Sequence, residues 1–247
     1  MNILKTLSVE VDGIMETINF GIPITTEEMD KMFALRYAEY EKRRYIDPDK
    51  YNKNQEKDEY DDKSVYFVAI WKNKMIATIR LIRNIVLPTE KDFQFDEPSS
   101  ISDISRDKRA ELGRFIIIPL DRENKKFLPR GLVMVVMFEV LSEFCRKNGI
   151  LGGYSFIKMN LYKKMKKLRM PIDVIQPYKQ TYPKDGVLYN YFSQKENPVI
   201  PIVFRLDKFQ KYFRKILSFK LVFENQNNHI VMKNNLFTKF LKYLKII

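Results

Sequence analysis

The run from Pro129 to Gly149, PRGLVMVVMFEVLSEFCRKNG, constrains the fold of this chain most. It reads as a helix closed by Asn148-Gly149, and it is apolar almost all round, so other elements must cover it on nearly every side. Its apolar stretch is broken at Glu139 and falls short of the ~18 residues that a membrane span requires. A helix of this kind needs a sheet to bury it. The flanking sequence supplies one. SVYFVAIW and MIATIRLI, joined by Lys72-Asn73-Lys74, carry a hairpin signal. AELGRFIII reads as a strand ending at Pro119, and LGGYSFI, VLYNYF and VIPIVF read as further strands. NLYKKMKKLRM reads as a short basic helix ahead of Pro171. Earlier in the chain, Thr25 and Glu28 have capping-box spacing, and Met29, Met32, Phe33, Tyr37 and Tyr40 then form an apolar helical face with Arg36 beside it. Residues 47–62 and 88–108 read as polar loops. This order predicts an α/β fold, a mixed central sheet flanked by helices.

The chain has 247 residues, 45% of them hydrophobic, which is enough to build a core and excludes a disordered chain. A lone cysteine, Cys145, allows no internal disulfide, and with one histidine, His229, no structural zinc site is expected. Cys145 is expected in the core and His229 at the surface. The first twenty residues carry no signal-peptide pattern, so a cytoplasmic location is expected.

The formal charge of +13 is uneven. Residues 205–247 carry +8 of it, and residues 158–169 hold six basic residues and no acid. A field of this sign attracts an acidic protein or an anionic membrane surface. No zinc-finger or RNP pattern supports nucleic acid. FQKYFRKILSF and LFTKFLKYLKII are amphipathic and cationic, as helices lying on a membrane surface are. The expected division is a catalytic-type domain over 1–204 and a basic helical extension over 205–247.

Four features occur in order. They are Arg36 and Tyr40 on the first helix, Asp58-Glu59-Tyr60-Asp61 ahead of Val65-Tyr66-Phe67-Val68-Ala69, Arg80-Leu81 in the second hairpin strand, and Glu111-Leu112-Gly113-Arg114-Phe115 in the next. The ordered set resembles the LuxI-type acyl-homoserine lactone synthases and the related N-acyl amino acid synthases, which belong to the GNAT acyltransferases. The resemblance covers residues 26–192. Homoserine lactone synthases usually carry a tryptophan ten residues past the helix arginine, where this chain has Ile46, and serine-arginine where it has Gly113-Arg114. Both departures point to the amino acid branch rather than to S-adenosylmethionine as acceptor.

The resemblance implies transfer of a fatty acyl group from a thioester to the amine of an amino-acid-like acceptor, with no bound cofactor. The residues agree with that chemistry. An amine nucleophile must be deprotonated, and Glu111 lies in an apolar strand that would raise its pKa toward a useful value. Gly113 permits a local bulge whose free N–H groups could hold the thioester oxygen. The resemblance makes Tyr162 the acid that protonates the leaving thiolate. Arg36, Asp58, Asp61 and Arg114 are expected as a charge cluster beneath the acceptor, with Arg80 on the acceptor carboxylate and Tyr40 and Phe115 beside it.

The GNAT pyrophosphate loop, R/Q-x-x-G-x-G/A, is not intact. Arg122, Arg130 and Gly131 are its nearest counterparts, leading into a helix N-terminus. With Lys158, Lys163, Lys164 and Lys167 they form the expected docking surface for an acidic acyl carrier protein, with acyl-CoA as the other donor. A homoserine lactone signal synthase and a membrane-held, non-catalytic GNAT-like module are the competing readings.

Overall fold

A computed structural model describes residues 1–11, 13–118, 130–220, 222–226 and 228–233. The chain opens with a hairpin that the sequence reading did not assign, β1 (Asn2–Val11) and β2 (Ile14–Ile22). Leu7 and Val9 on one strand and Ile18 and Phe20 on the other point into the core at the two-residue period of a strand. Helix α1 (Thr26–Lys42) starts at the expected cap, where Thr25 Oγ1 accepts from the Glu28 N–H and Glu28 accepts from the Thr25 N–H, both at 3.2 Å. The polar stretch after it holds three single 3-10 turns, at 48–50, 52–54 and 61–63.

Strands β3 (Ser64–Trp71) and β4 (Lys74–Ile82) form the expected hairpin. The segment read as loop contains α2 (Pro88–Asp92) and β5 (Phe93–Phe95). Then come β6 (Arg109–Ile117), α3 (Arg130–Lys147), β7 (Gly152–Lys158), α4 (Met159–Lys167), β8 (Ile172–Val174) and β9 (Tyr178–Gln180). The chain continues through α5 (Tyr189–Phe192), β10 (Val199–Arg205), α6 (Leu206–Leu217), β11 (Phe223–Gln226) and β12 (His229–Met232).

The main sheet runs β11-β12-β1-β2-β3-β4-β6-β7-β10-β8, and β5 pairs with β9 apart from it. Among the described residues only β1–β12 and β6–β7 pair in parallel, so the sheet is mixed, as expected. Helix α3 lies on one face with Leu132, Val133, Val136, Met137 and Val140 buried in the largest core cluster. Helix α1 covers the other face through Met32 and Phe33, packed on Tyr66 and Val68. Gly153 is required where β6 and β7 meet, because a Cβ there would stand 1.7 Å from the Ala110 carbonyl oxygen.

Two segments differ from expectation. VLYNYF does not join the sheet; its aromatic residues turn into α5, and Phe192 stacks on Tyr182 at 4.1 Å. A run dense in rings buries itself as well on a helical turn as on a strand. The described residues after 204 pack into the core. Leu206, Phe209, Phe213 and Leu217 of α6 are buried, Phe213 stacks on Phe138 of α3 at 5.3 Å, and β12 extends the sheet beside β1. The periodicity of FQKYFRKILSF reports one apolar face and does not say what covers it. LFTKFLKYLKII lies outside the described residues.

Candidate active site

Strands β6 and β7 pair through Arg109↔Gly152, Ala110↔Gly153 and Glu111↔Tyr154, and the ladder ends there. Beyond that point a cavity of about 540 Å³ opens between them and passes through the sheet. On the α1 face its walls include Tyr40, Tyr45, Arg114, Lys158 and Tyr191. On the α3 face they are apolar: Met134, Phe138, Ile202, Phe204 and Phe209.

The β4–β6 register shifts by one residue between Thr78 and Arg80, which places a bulge in β6. The residue in the left-handed region is Arg114, at φ 55°, rather than Gly113. Gly113 instead keeps the cavity clear, since a Cβ on it would meet nothing within 4 Å. Phe115 also lines the cavity and packs against Phe138 at 5.1 Å.

Three arginines and three carboxylates are interlocked under the α1 wall. Arg36 Nε donates to Glu56 at 2.6 Å and its Nη1 to Asp61 at 3.0 Å. Arg80 donates to both oxygens of Asp58, at 2.6 and 2.8 Å, and to Asp61 at 2.6 Å. Arg114 donates to Glu56 at 3.0 Å and to Asp58 at 2.6 Å, with its guanidinium over the Tyr40 ring at 5.6 Å. Burial pushes the Asp58 carboxyl upward, but Arg114 and Arg80 outweigh it and hold the group well below the usual range. Arg114 and Arg36 do the same to Glu56. The expected charge cluster of Arg36, Asp58, Asp61 and Arg114 is therefore present. Arg80 is corrected: its fork is taken by Asp58 and Asp61 and does not offer itself to an acceptor carboxylate. Glu56 was missed, because one acid in a polar loop carries no sign that the loop folds it under a helix. It is fully buried.

Glu111 stands at the last pair of the β6–β7 ladder, one residue before Leu112 of the cavity wall, and is buried, with Oε2 accepting from the backbone N–H of Thr89 at 2.7 Å. Burial pushes its carboxyl up to about 8, and neighbouring Asp92 adds to the effect. Asp92, at the end of α2, is itself buried and is pushed up to about 7, chiefly by burial. Asp92 too was missed, since the segment carrying it read as loop.

Residues 35–128 match the model of the acetyltransferase (GNAT) domain. The matched segment holds Arg36, Asp58, Asp61, Arg80, Glu111 and Arg114. Three solved structures share the fold of the chain. MesI, a CoA-dependent acyl-homoserine lactone synthase, superposes with TM-score 0.54 and 15% identity over 82% of this chain and 91% of that one. The AHL synthase LasI gives TM-score 0.54 and 13% identity over 80% and 94%. BjaI, another CoA-dependent acyl-homoserine lactone synthase, solved with MTA, gives 0.51 and 14% over 89% and 92%. At these identities the likeness is one of fold. No curated protein matches the chain by sequence.

The remaining expected site residues fall in three places. Tyr162 packs half-buried against the core and is not part of the cavity wall. On a nine-residue amphipathic helix its ring goes with the apolar stripe. Lys163, Lys164 and Lys167 are exposed on α4, and Lys164 and Gly131 border the cavity. Lys158 is corrected: it is buried in the cavity wall and is not part of an exposed docking patch. As the last residue of β7, it shares the face of Tyr154 and Phe156. Arg122 and the side chain of Arg130 lie outside the described residues. His229 is half-buried on β12, with ring nitrogens at 2.5 Å from Thr6 Oγ1 and 3.3 Å from Ser8 Oγ.

Proposed function

We propose that this chain is a GNAT-type acyltransferase that moves a fatty acyl group from a carrier thioester to the amine of an amino acid or amino-acid-like acceptor. The observation that carries the reading is the cavity at the β6–β7 divergence. It has an apolar end under α3 and α6 and a polar and aromatic end on the α1 face, and the Glu111 carboxyl stands next to its wall, where the β6–β7 ladder ends. An acyl chain suits the first, an amine the second.

In this reading Glu111 takes the proton of the incoming ammonium, directly or through one water. A cation beside it stabilises its ionised form, so a group titrating near 8 in the empty site is ionised when the acceptor is in place. The nitrogen then attacks the thioester carbonyl, the N–C bond forms, and the C–S bond breaks. The β6 bulge at Gly113–Phe115 supplies unpaired backbone N–H to the carbonyl oxygen. The buried ion network fixes the left-handed turn at Arg114 that creates the bulge. Exposed Lys163, Lys164 and Lys167 beside the cavity suit an acidic acyl carrier protein as donor.

The test is expression in a bacterial host, followed by lipid extraction and mass spectrometry beside a Glu111→Gln control. New N-acyl amino acids absent from the control support the reading. Acyl lactones would transfer it to S-adenosylmethionine as acceptor. No acylated amine from folded protein supplied with acyl-carrier thioesters would overturn it.

A further inference from the structure

A thiolate leaves in this reaction, and the residue expected to protonate it, Tyr162, lies outside the cavity. The cavity wall holds another candidate. Lys158 is 5% exposed, and its Nζ donates to the Tyr191 carbonyl oxygen. The ammonium stands over the ring of Tyr191 at 4.4 Å and the ring of Tyr45 at 5.3 Å. Among the described residues no carboxylate forms an ion pair with it. Arg36, Arg80 and Arg114 are all bound by Glu56, Asp58 and Asp61, whereas Lys158 keeps donors free on a cavity wall. A buried cation without an anion is costly unless something that enters the site supplies one.

Resting on the acyl-transfer reading above, we propose that Lys158 is the proton donor to the leaving thiolate. Its place along β7 fits. Lys158 lies four residues past Tyr154, the partner of Glu111 in the last β6–β7 pair, which is a strand distance of about 13 Å. That span holds a carboxylate, one bridging water, the reacting N–C–S atoms and an ammonium in line. Lys158 also lies between the last β6–β7 pair and α4, whose exposed Lys164 borders the cavity, so a thioester entering there has its sulfur toward Lys158 and its carbonyl toward β6. The charge balance closes. The Lys158 ammonium gives one proton to sulfur as the C–S bond breaks and becomes a neutral amine, and the second proton, which the attacking nitrogen sheds on becoming an amide, recharges it through water. Burial brings the lysine down to about 8, close to an ordinary thiol, so the transfer is nearly thermoneutral.

The experiment compares two donors on the purified full-length protein. One is an acyl-pantetheine thioester. The other is the thiophenyl ester of the same acid, whose thiol is far more acidic and leaves without a proton. Lys158→Met is expected to lose about 10²–10³-fold in kcat on the pantetheine donor and to recover most of it on the thiophenyl donor. Lys158→Arg keeps the charge but holds its proton too tightly, so it should resemble Lys158→Met. The ratio between donors on one preparation is independent of how much of a variant is folded. Equal losses on both donors would overturn the assignment. So would a rise in acceptor KM at unchanged kcat, which would make Lys158 a carboxylate anchor. Wild-type protein inactive on both donors would instead refute the acyl-transfer reading itself.

Discussion

Glu111 on β6 accepts a hydrogen bond from the backbone N–H of Thr89 on α2 at 2.7 Å, where the β6–β7 ladder ends. That single bond fastens a short helix from a loop-like segment to the strand that carries the carboxyl. It also holds the carboxyl in one orientation, one residue before Leu112 of the cavity wall.

Glu111→Gln should lower kcat/KM by about 10²–10⁴-fold, the usual worth of a general base. It should also stabilise the fold above pH 8. Burial pushes the folded carboxyl up to about 8 against an ordinary 4.5, so this group's contribution to stability is full below 4.5 and is lost as pH rises to 8. Glutamine keeps the Thr89 bond and has no charge to desolvate. Urea unfolding at pH 8.5 is expected to show a gain of about 1–3 kcal/mol. A loss of stability at that pH would contradict the burial argument.

Asp92→Asn removes a like charge beside Glu111 and should ease its ionisation. The acidic limb of the kcat/KM profile is expected to move to lower pH, because that limb reports the base in the free enzyme. An unmoved limb would mean that Asp92 and Glu111 titrate independently.

Arg80→Ala leaves Asp58 and Asp61 short of a buried partner and should cost about 3–5 kcal/mol of stability. Chemical denaturation checks this. A variant of unchanged stability with only a raised acceptor KM would restore the substrate role for Arg80 that the geometry removes.

Phe213→Ala should cost about 3–5 kcal/mol, since the ring is fully buried and stacked on Phe138. Deleting residues 206–247 is therefore expected to give insoluble protein. A soluble, active truncation would show that α6 is dispensable to the core.

Met134→Trp narrows the apolar end of the cavity. The product distribution should move to shorter acyl chains, because each methylene shut out forfeits ~0.8 kcal/mol, about fourfold in affinity. Mass spectrometry of products reads this directly, and an unchanged distribution would place the chain elsewhere.

The α1 cap, the β3–β4 hairpin, the β6 strand and the buried α3 were all legible from local pattern. Each is an element whose residues within one short window, Thr25 with Glu28 for example, already state the outcome. The motif residues Arg36, Asp58, Asp61, Arg80, Glu111 and Arg114 were legible as a set because their types and order survive in the linear chain. Their partners were not. Glu56 looks like any loop acid until Arg36 and Arg114 close on it from 20 and 58 residues away.

By itself, then, the sequence determined that α1, β3, β4, β6 and α3 form, which residues bear charge, and that a carboxyl and an arginine share β6. Periodicity and residue chemistry are local properties, and they hold whatever the chain does elsewhere. Tertiary structure alone decided the rest. It gave Arg80 to two aspartates, turned Lys158 into the cavity while Tyr162 packed against the core, and laid the amphipathic α6 on α3. Those outcomes depend on which surfaces meet, and a side chain's partner and burial exist only once distant segments have come together.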